Sequence, residues 1–233
     1  MIDIITEYWE QFLWTDGFDT TGLAITLWLL ILSAIVGFLL AVPLAVARVS
    51  SKKWLSFPAT FYIYVLRGTP LYVQLLIIYS GIYSIAWVRS VPTLADFFSS
   101  GLNCTILALS LNSAAYLAQI LAGSIKALPH GEIEAGRAYG MSEWSLYCSI
   151  ILPSALRRAI PMYSNEAILL LQATSLAFTA TVPDILSVAR YVNSDTYDSL
   201  NAFAVAGILY AVISFVLVWL FKVMENRWLT FFS

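Results

Sequence analysis

Residues 20–47 carry no charged side chain. Twenty-eight residues at 1.5 Å each make a helix that outreaches a hydrocarbon core of roughly 30 Å. In lipid, only a helix or a closed barrel can satisfy its own backbone, so this run restricts the chain to a narrow set of folds. Residues 97–125 are equally free of charge, as are 199–221, while 159–183 contain one charge, Glu166. Residues 54–88 are also apolar but are interrupted by Arg67-Gly68-Thr69-Pro70 and are longer than one simple span requires. This region reads either as one tilted, broken helix or as an interfacial helix up to Arg67 followed by a span from about Leu71. The expected fold is an all-α integral membrane protein with five transmembrane helices. An external tail, residues 1–19, would precede a transmembrane domain over 20–222 that includes a cytoplasmic loop, 127–158. A short tail, 223–233, would end the chain in the cytoplasm.

Charge placement orients this arrangement. With the first tail outside, the inner segments hold nine basic residues: Arg48, Lys52, Lys53, Lys126, Arg137, Arg157, Arg158, Lys222 and Arg227. The outer segments hold two, Arg89 and Arg190, and the positive-inside rule therefore places the amino terminus outside. Met1 to Asp19 lacks the basic start and short apolar stretch of a cleaved signal, so the first long helix is expected to stay in the membrane. Only 11% of the chain is charged, under half the share of an ordinary soluble domain, and acids outnumber bases, which gives nucleic acid no foothold. The single histidine, His130, sits at a helix end, where capping is expected rather than catalysis. No metal site is expected. Cys104 and Cys148 fall near opposite membrane faces and are not expected to pair. None of the eleven glycines is followed by Lys, so no phosphate-binding loop of the Gly-Lys-Ser/Thr type is encoded.

The polar stretch Glu134-Ala135-Gly136-Arg137-Ala138-Tyr139-Gly140, followed after nine intervening residues by Ile150-Ile151-Leu152-Pro153, stands out among the apolar runs. Two short helices are expected, joined at Gly140 and closed by Pro153, outside the bilayer. This stretch resembles the signature loop of permease subunits of ATP-binding-cassette importers, with Glu134, Ala135, Gly140, Ile150, Leu152 and Pro153 in register. Gly136 departs from the usual Ala and should loosen the first short helix. Arg67-Gly68-Thr69-Pro70-Leu71-Tyr72-Val73-Gln74, Ala115-Tyr116 and Gly123 resemble the polar amino acid branch of that family. With Trp14 to Gly17, Pro129 to Glu132 and Ala177 to Asp184, the order of motifs is similar to the M permease subunits of histidine, lysine, arginine and ornithine importers.

Polar groups inside spans are costly and mark either packing or a pathway. Gly68 and Pro70 weaken the helix ladder and free backbone groups that protein, water or ligand must satisfy. Arg67 faces a substrate carboxylate or a partner in one reading, and reaches to the inner surface in the other. Glu166 would receive a substrate cation, with an ion pair to Arg67 as the bland alternative. Thr69, Asn112, Gln119 and Asn165 complete the candidate pathway. Gln119 stands where similar permeases usually carry Glu, which removes a negative charge from the cavity.

The resemblance implies a type I importer permease fold, with a coupling helix in the cytoplasmic loop and no enzymatic activity or cofactor in this chain. ATP and magnesium would lie on two partner ATPase subunits. A second, homologous permease would complete a heterodimer in the bacterial inner membrane, and a periplasmic solute-binding protein would deliver basic amino acids or related opines. Ala138, Tyr139, Gly140 and Met141 would form the tip pressed into the ATPase, Glu134 would hold the loop's geometry, Arg137 would pair across the interface, and Ala135 belongs to the same coupling set. A proton-coupled secondary transporter using Glu166 is the competing reading.

Overall fold

The computed structural model describes residues 2–228, all of whose regular elements are helical. The amino-terminal segment, expected as a plain tail, forms α1 (Ile2–Leu13) and buries Ile4, Tyr8 and Phe12, four residues apart, against the body. A turn at Asp16 to Thr20 leads into α2 (Gly22–Val49). Gly22 adopts φ +57°, and its amide donates to Pro183 O at 2.8 Å, so the start of α2 is tied to a distant loop.

After α2 come α3 (Lys53–Gly68) and α4 (Leu71–Leu76), the latter continuing as a π-helical turn over Ile77–Ile82. These two stretches meet at an angle of 104°, a break that both readings of residues 54–88 place here. Pro70 sets the break: it has no amide to donate and disfavours helix at Thr69, whose ψ is 146°. Short helices α5 (Ala86–Ser90) and α6 (Pro92–Ser99) precede α7 (Gly101–Lys126), which Ser100 caps by accepting from Asn103 N. The expected third span thus starts at Gly101 rather than 97, and residues 97–99 belong to α6.

Helix α7 is the hub of the molecule. Ser33, Gly37, Ala41 and Ala45, at every fourth residue of α2, are all buried. They meet a similarly small-sided face of α7 that includes Ser110, Ser113 and Ala118. A Cβ at Gly37 would lie 3.1 Å from Ser113 Cβ, which shows how closely the backbones approach.

The loop after α7 contains α8 (His130–Ala138) and α9 (Glu143–Leu146), then a π-helical turn, Tyr147–Ile151, that feeds α10 (Leu152–Thr174). Pro153 therefore opens α10 instead of closing the loop: in a first turn, its missing amide costs nothing. His130 is the first residue of α8, whose cap residue is Pro129 with no side-chain bond, so the expected capping role is not filled. Past Thr174 the helix tightens to a 3₁₀ turn, Ser175–Ala180, then α11 (Ile185–Thr196) and α12 (Ser199–Trp228) follow. Residues 229–233 of the expected carboxyl-terminal tail lie outside the described residues, and the remainder continues α12. Both cysteines are free.

Among the described residues, α2, α7 and α12 are each long and apolar enough to cross a membrane, and α3 with α4 passes the same test as a bent pair. Helix α10 is lowered in hydropathy by Arg157, Arg158, Asn165, Glu166 and Gln172 and does not qualify on composition alone.

Candidate functional site

Pro70 cannot donate to the carbonyl of Leu66 four residues back, and that orphan in an apolar setting would be expensive. Two side chains satisfy it: Gln74 Nε2 at 2.8 Å and Asn112 Nδ2 at 3.1 Å. Gln74 Nε2 also reaches Thr69 O at 3.1 Å and Thr69 Oγ1 at 2.8 Å, while its Oε1 accepts from Asn112 Nδ2 at 3.0 Å. The break in the α3–α4 pair is thus closed by protein groups. Asn112 and Thr69, expected along a pathway, serve first as its frame.

Around this frame lie three cavities. One of 190 Å³ is lined by Asn112, Ser113 and Tyr116 of α7, by Glu166 of α10 and by Leu71. Glu166 and Ser113 also line a larger, 390 Å³ cavity with Phe38, Tyr163 and Phe221, where apolar side chains predominate. The buried hydroxyl of Tyr163 there has no hydrogen-bond partner among the described residues. A third cavity, 340 Å³, holds Arg48, Tyr64, Arg67 and Gln119. Arg67 lies over the Tyr116 ring at 4.9 Å from its centroid, and Arg48 donates to Gln119 Oε1. The Arg67–Glu166 ion pair, the alternative to a cargo-binding role for Glu166, is not formed; the ion pairs among the described residues are Arg137–Glu143 and Arg158–Glu132. Asn165 is exposed and lines none of these three cavities.

Arg48, Tyr116 and Tyr163 were not singled out from sequence as site residues. Gln74 was legible in principle, since a polar side chain four residues after a proline is placed to reach back across the gap. Tyr163 lacked any such signal.

The loop between α7 and α10 is a second constellation. Glycine 140 has φ +76°; its amide donates to Arg137 O at 2.9 Å, and Met141 N donates to Gly136 O at 3.2 Å, a Schellman ending for α8. Gly136, far from loosening α8, is buried: a Cβ there would come 2.6 Å from Leu146 Cδ1 and 2.9 Å from Ile150 Cδ1. The loop's brace is Glu132 rather than Glu134. Ser154 and Arg158, one turn apart on α10, donate to Glu132 at 3.2 and 3.4 Å. Glu134 and Ala135 are exposed, and Arg137 pairs within the loop to Glu143 at 3.1 Å. At the tip, Tyr139 is 91% exposed and Trp144 80%, with Ala138 beside them also exposed and Met141 half-buried. Leu146, Ile151 and Ala155 bury into one cluster with Ala45, Ala118 and Leu121, so the base of the loop belongs to the same apolar core as α2 and α7.

This loop between long apolar helices matches a known pattern over most of the chain. Residues 33–230 match the family described as the binding-protein-dependent transport system inner membrane component. The chain belongs to that family of permeases. The permease is 59% identical over 229 residues to the histidine/lysine/arginine/ornithine transport system permease protein HisM of Salmonella typhimurium, covering 98% of this chain and 97% of that one. It is 42% identical over 217 residues to the octopine transport system permease protein OccM of Rhizobium meliloti, covering 93% and 86%. Its fold is similar to that in a crystal structure of an amino acid ABC transporter with histidines: TM-score 0.75, 30% identity, 88% of this chain and 91% of that chain. The MetNI methionine ABC transporter shares the fold at TM-score 0.69 and 17% identity, over 97% and 96% of the two chains. The permease is therefore an inner membrane component of an ABC importer.

Proposed function

We propose that this permease is the translocation subunit of an ATP-driven importer of basic amino acids or related opines, working by alternating access. One observation carries the mechanism: a loop whose tip is exposed and whose base is packed into the helix ends. Glu132 ties α8 to α10, Gly136 seats α8 on Leu146, and Leu146 and Ile151 share a cluster with α2 and α7. A body held this way moves with the helices instead of bending, so a push on Tyr139 and Trp144 tilts α7 and α10 together.

In this reading the chain has five spans, α10 being the one whose charges face protein rather than lipid. The amino terminus lies outside, in keeping with nine inner against two outer basic residues. Two ATPase subunits, which bear the ATP and magnesium, grip the loop tip, and the chain itself is not an enzyme. A second homologous permease completes a heterodimer, and an external binding protein delivers cargo. Glu166, in the cavity beside Asn112 and Tyr116, takes the cationic group of the cargo. The names of the similar proteins, HisM and OccM, support cargo of this class.

The test is reconstitution in proteoliposomes with the partner permease, ATPase and binding protein. Uptake of lysine or arginine that requires ATP inside and binding protein outside is the expected result. Uptake by the permease alone, driven by a proton gradient, would overturn the proposal.

A further inference from the structure

Asn112, Tyr116 and Gln119 occupy positions i, i+4 and i+7 of α7 and so share one face. Asn112 and Tyr116 line the cavity that holds Glu166, whereas Gln119 lines the cavity that holds Arg48 and Arg67. The two cavities have no lining residue in common. Tyr116 stands between them, since its ring carries Arg67.

Two guanidinium groups line the second cavity and no acid does. Two like charges share this cavity, Arg48 half-buried and Arg67 exposed, and an anion between them would relieve their repulsion. The contacts that hold them leave both charges intact. Gln119 accepts from Arg48 without neutralising it, and the Tyr116 face offers Arg67 only its ring electrons. Paired planar forks with five donors each are the arrangement that receives a carboxylate.

We propose that Arg48 and Arg67 form an oxyanion station for the α-carboxylate of the amino acid cargo. It lies along α7 from the cavity where Glu166 takes the cationic group. The proposal rests on reading this chain as a basic amino acid permease. Asn112 and Gln119 are about 10 Å apart along the helix, a separation that a long amino acid in extended form bridges. A lipid phosphate is the other common oxyanion: Arg67 neighbours Leu66, whose carbonyl Asn112 bonds near the middle of α7, but Arg48 is the last residue but one of α2, so the experiment separates the two sources.

The experiment measures equilibrium binding to the assembled transporter without its binding protein, using arginine and agmatine, which is arginine lacking the carboxylate. Arginine should bind the wild type more tightly than agmatine. Arg48→Gln should weaken arginine by a factor of about 10 to 100 and leave agmatine unchanged. Gln119→Glu is isosteric and supplies Arg48 with an internal carboxylate, so it should likewise weaken arginine and not agmatine even where Arg48→Gln fails to assemble. Glu166→Gln should weaken both. If Glu166→Gln weakens both ligands while the two station variants leave arginine binding unchanged, the station is wrong and the cargo reading stands. If the wild type binds neither arginine nor agmatine, the cargo reading fails and the station with it. Phospholipid that copurifies with the wild type but not with Arg48→Gln, and that competes with arginine, assigns the cavity to a headgroup and overturns the proposal.

Discussion

Asn112 Nδ2 donates to Gln74 Oε1 at 3.0 Å, and the two amides converge on the one carbonyl, that of Leu66, which Pro70 leaves without a helical donor. The pair closes the 104° break between α3 and α4 onto α7. Replacing either by Leu strands the other's polar atoms and half the Leu66 bonding, at a cost of about 1–3 kcal/mol each. Because the groups form one network, Gln74→Leu with Asn112→Leu should cost less than the sum of the two. Thermal unfolding of the purified transporter measures this; strict additivity would show that the two amides act independently.

Gly136 and Gly140 should fail for different reasons. At Gly140 a side chain meets open space, and Gly140→Ala carries only the left-handed backbone penalty of about 1–2 kcal/mol. At Gly136 a single methyl meets the side-chain ends of Leu146, Ile150 and Met141, which can give way, so Gly136→Ala should be tolerated. Gly136→Val should lift α8 off α9 and reduce binding-protein-stimulated ATP hydrolysis. Equal hydrolysis by the Val variant and the wild type would rule out packing at this glycine as the coupling element.

The two glycines also show how far sequence reaches. Gly140 was legible because a positive φ is a property of the local chain, and local rules predict a reversal there. Gly136 looked like a weak point in a helix because its reason for being small is a neighbour, Leu146, that propensity does not see. The same division holds elsewhere. Uncharged runs announced α2, α7 and α12, but α1 was missed although Ile4, Tyr8 and Phe12 repeat every four residues, since twelve residues of mixed polarity resemble a tail. Pro153 was misread as a stop because proline begins helices as readily as it ends them, and the π-helical turn before it carries no sequence mark. At the candidate site, Arg67 and Glu166 were evident as charges in apolar runs. The partner of Arg67 was not, since the Tyr116 ring meets it only once α3 and α7 are brought together.

Arg137 tests the proposed contact between the loop and an ATPase. Its pair with Glu143 is solvent-exposed, 59% and 68% for the two side chains, and such pairs contribute about 0–1 kcal/mol. Arg137→Ala should therefore leave the unfolding temperature nearly unchanged. A fall in transport by that variant then reports a lost contact with the partner, and an unfolding temperature lowered by several degrees would show instead that the loop itself depends on the pair.

Tyr8 on α1 donates its hydroxyl to Asp195 on α11. That bond, and secondarily burial, push the phenol up to about 12. A raised folded value means that the contribution to stability is complete below the unfolded value near 10 and disappears as pH rises through about 12. Between about pH 6 and 9 the bond should be indifferent to pH. Tyr8→Phe should accordingly loosen α1 to the same degree throughout that range, read as faster proteolytic removal of α1. A difference between wild type and variant that grows between those limits would mean that a group other than the phenol is titrating.

In the proposed reading Glu166 is the charge that takes the cationic group of the cargo. It is the one acid lining the cavities beside α7, and no basic residue lies within ion-pair distance of it among the described residues. A carboxylate placed to hold a neighbour would be closed off by that neighbour; this one borders open space on two sides. Glu166→Gln keeps the shape and removes the charge, so assembly and basal ATP hydrolysis should persist while import of lysine and arginine falls by a factor of about ten or more. Glu166→Asp keeps the charge but shortens the reach, and should fall between the two. Measuring uptake of the same cargo by all three in proteoliposomes orders them as wild type, Asp, Gln if charge is what the cavity supplies. If Gln transports as well as the wild type and Asp poorly, the side chain acts by its length, and recognition of the cation must reside elsewhere along the path.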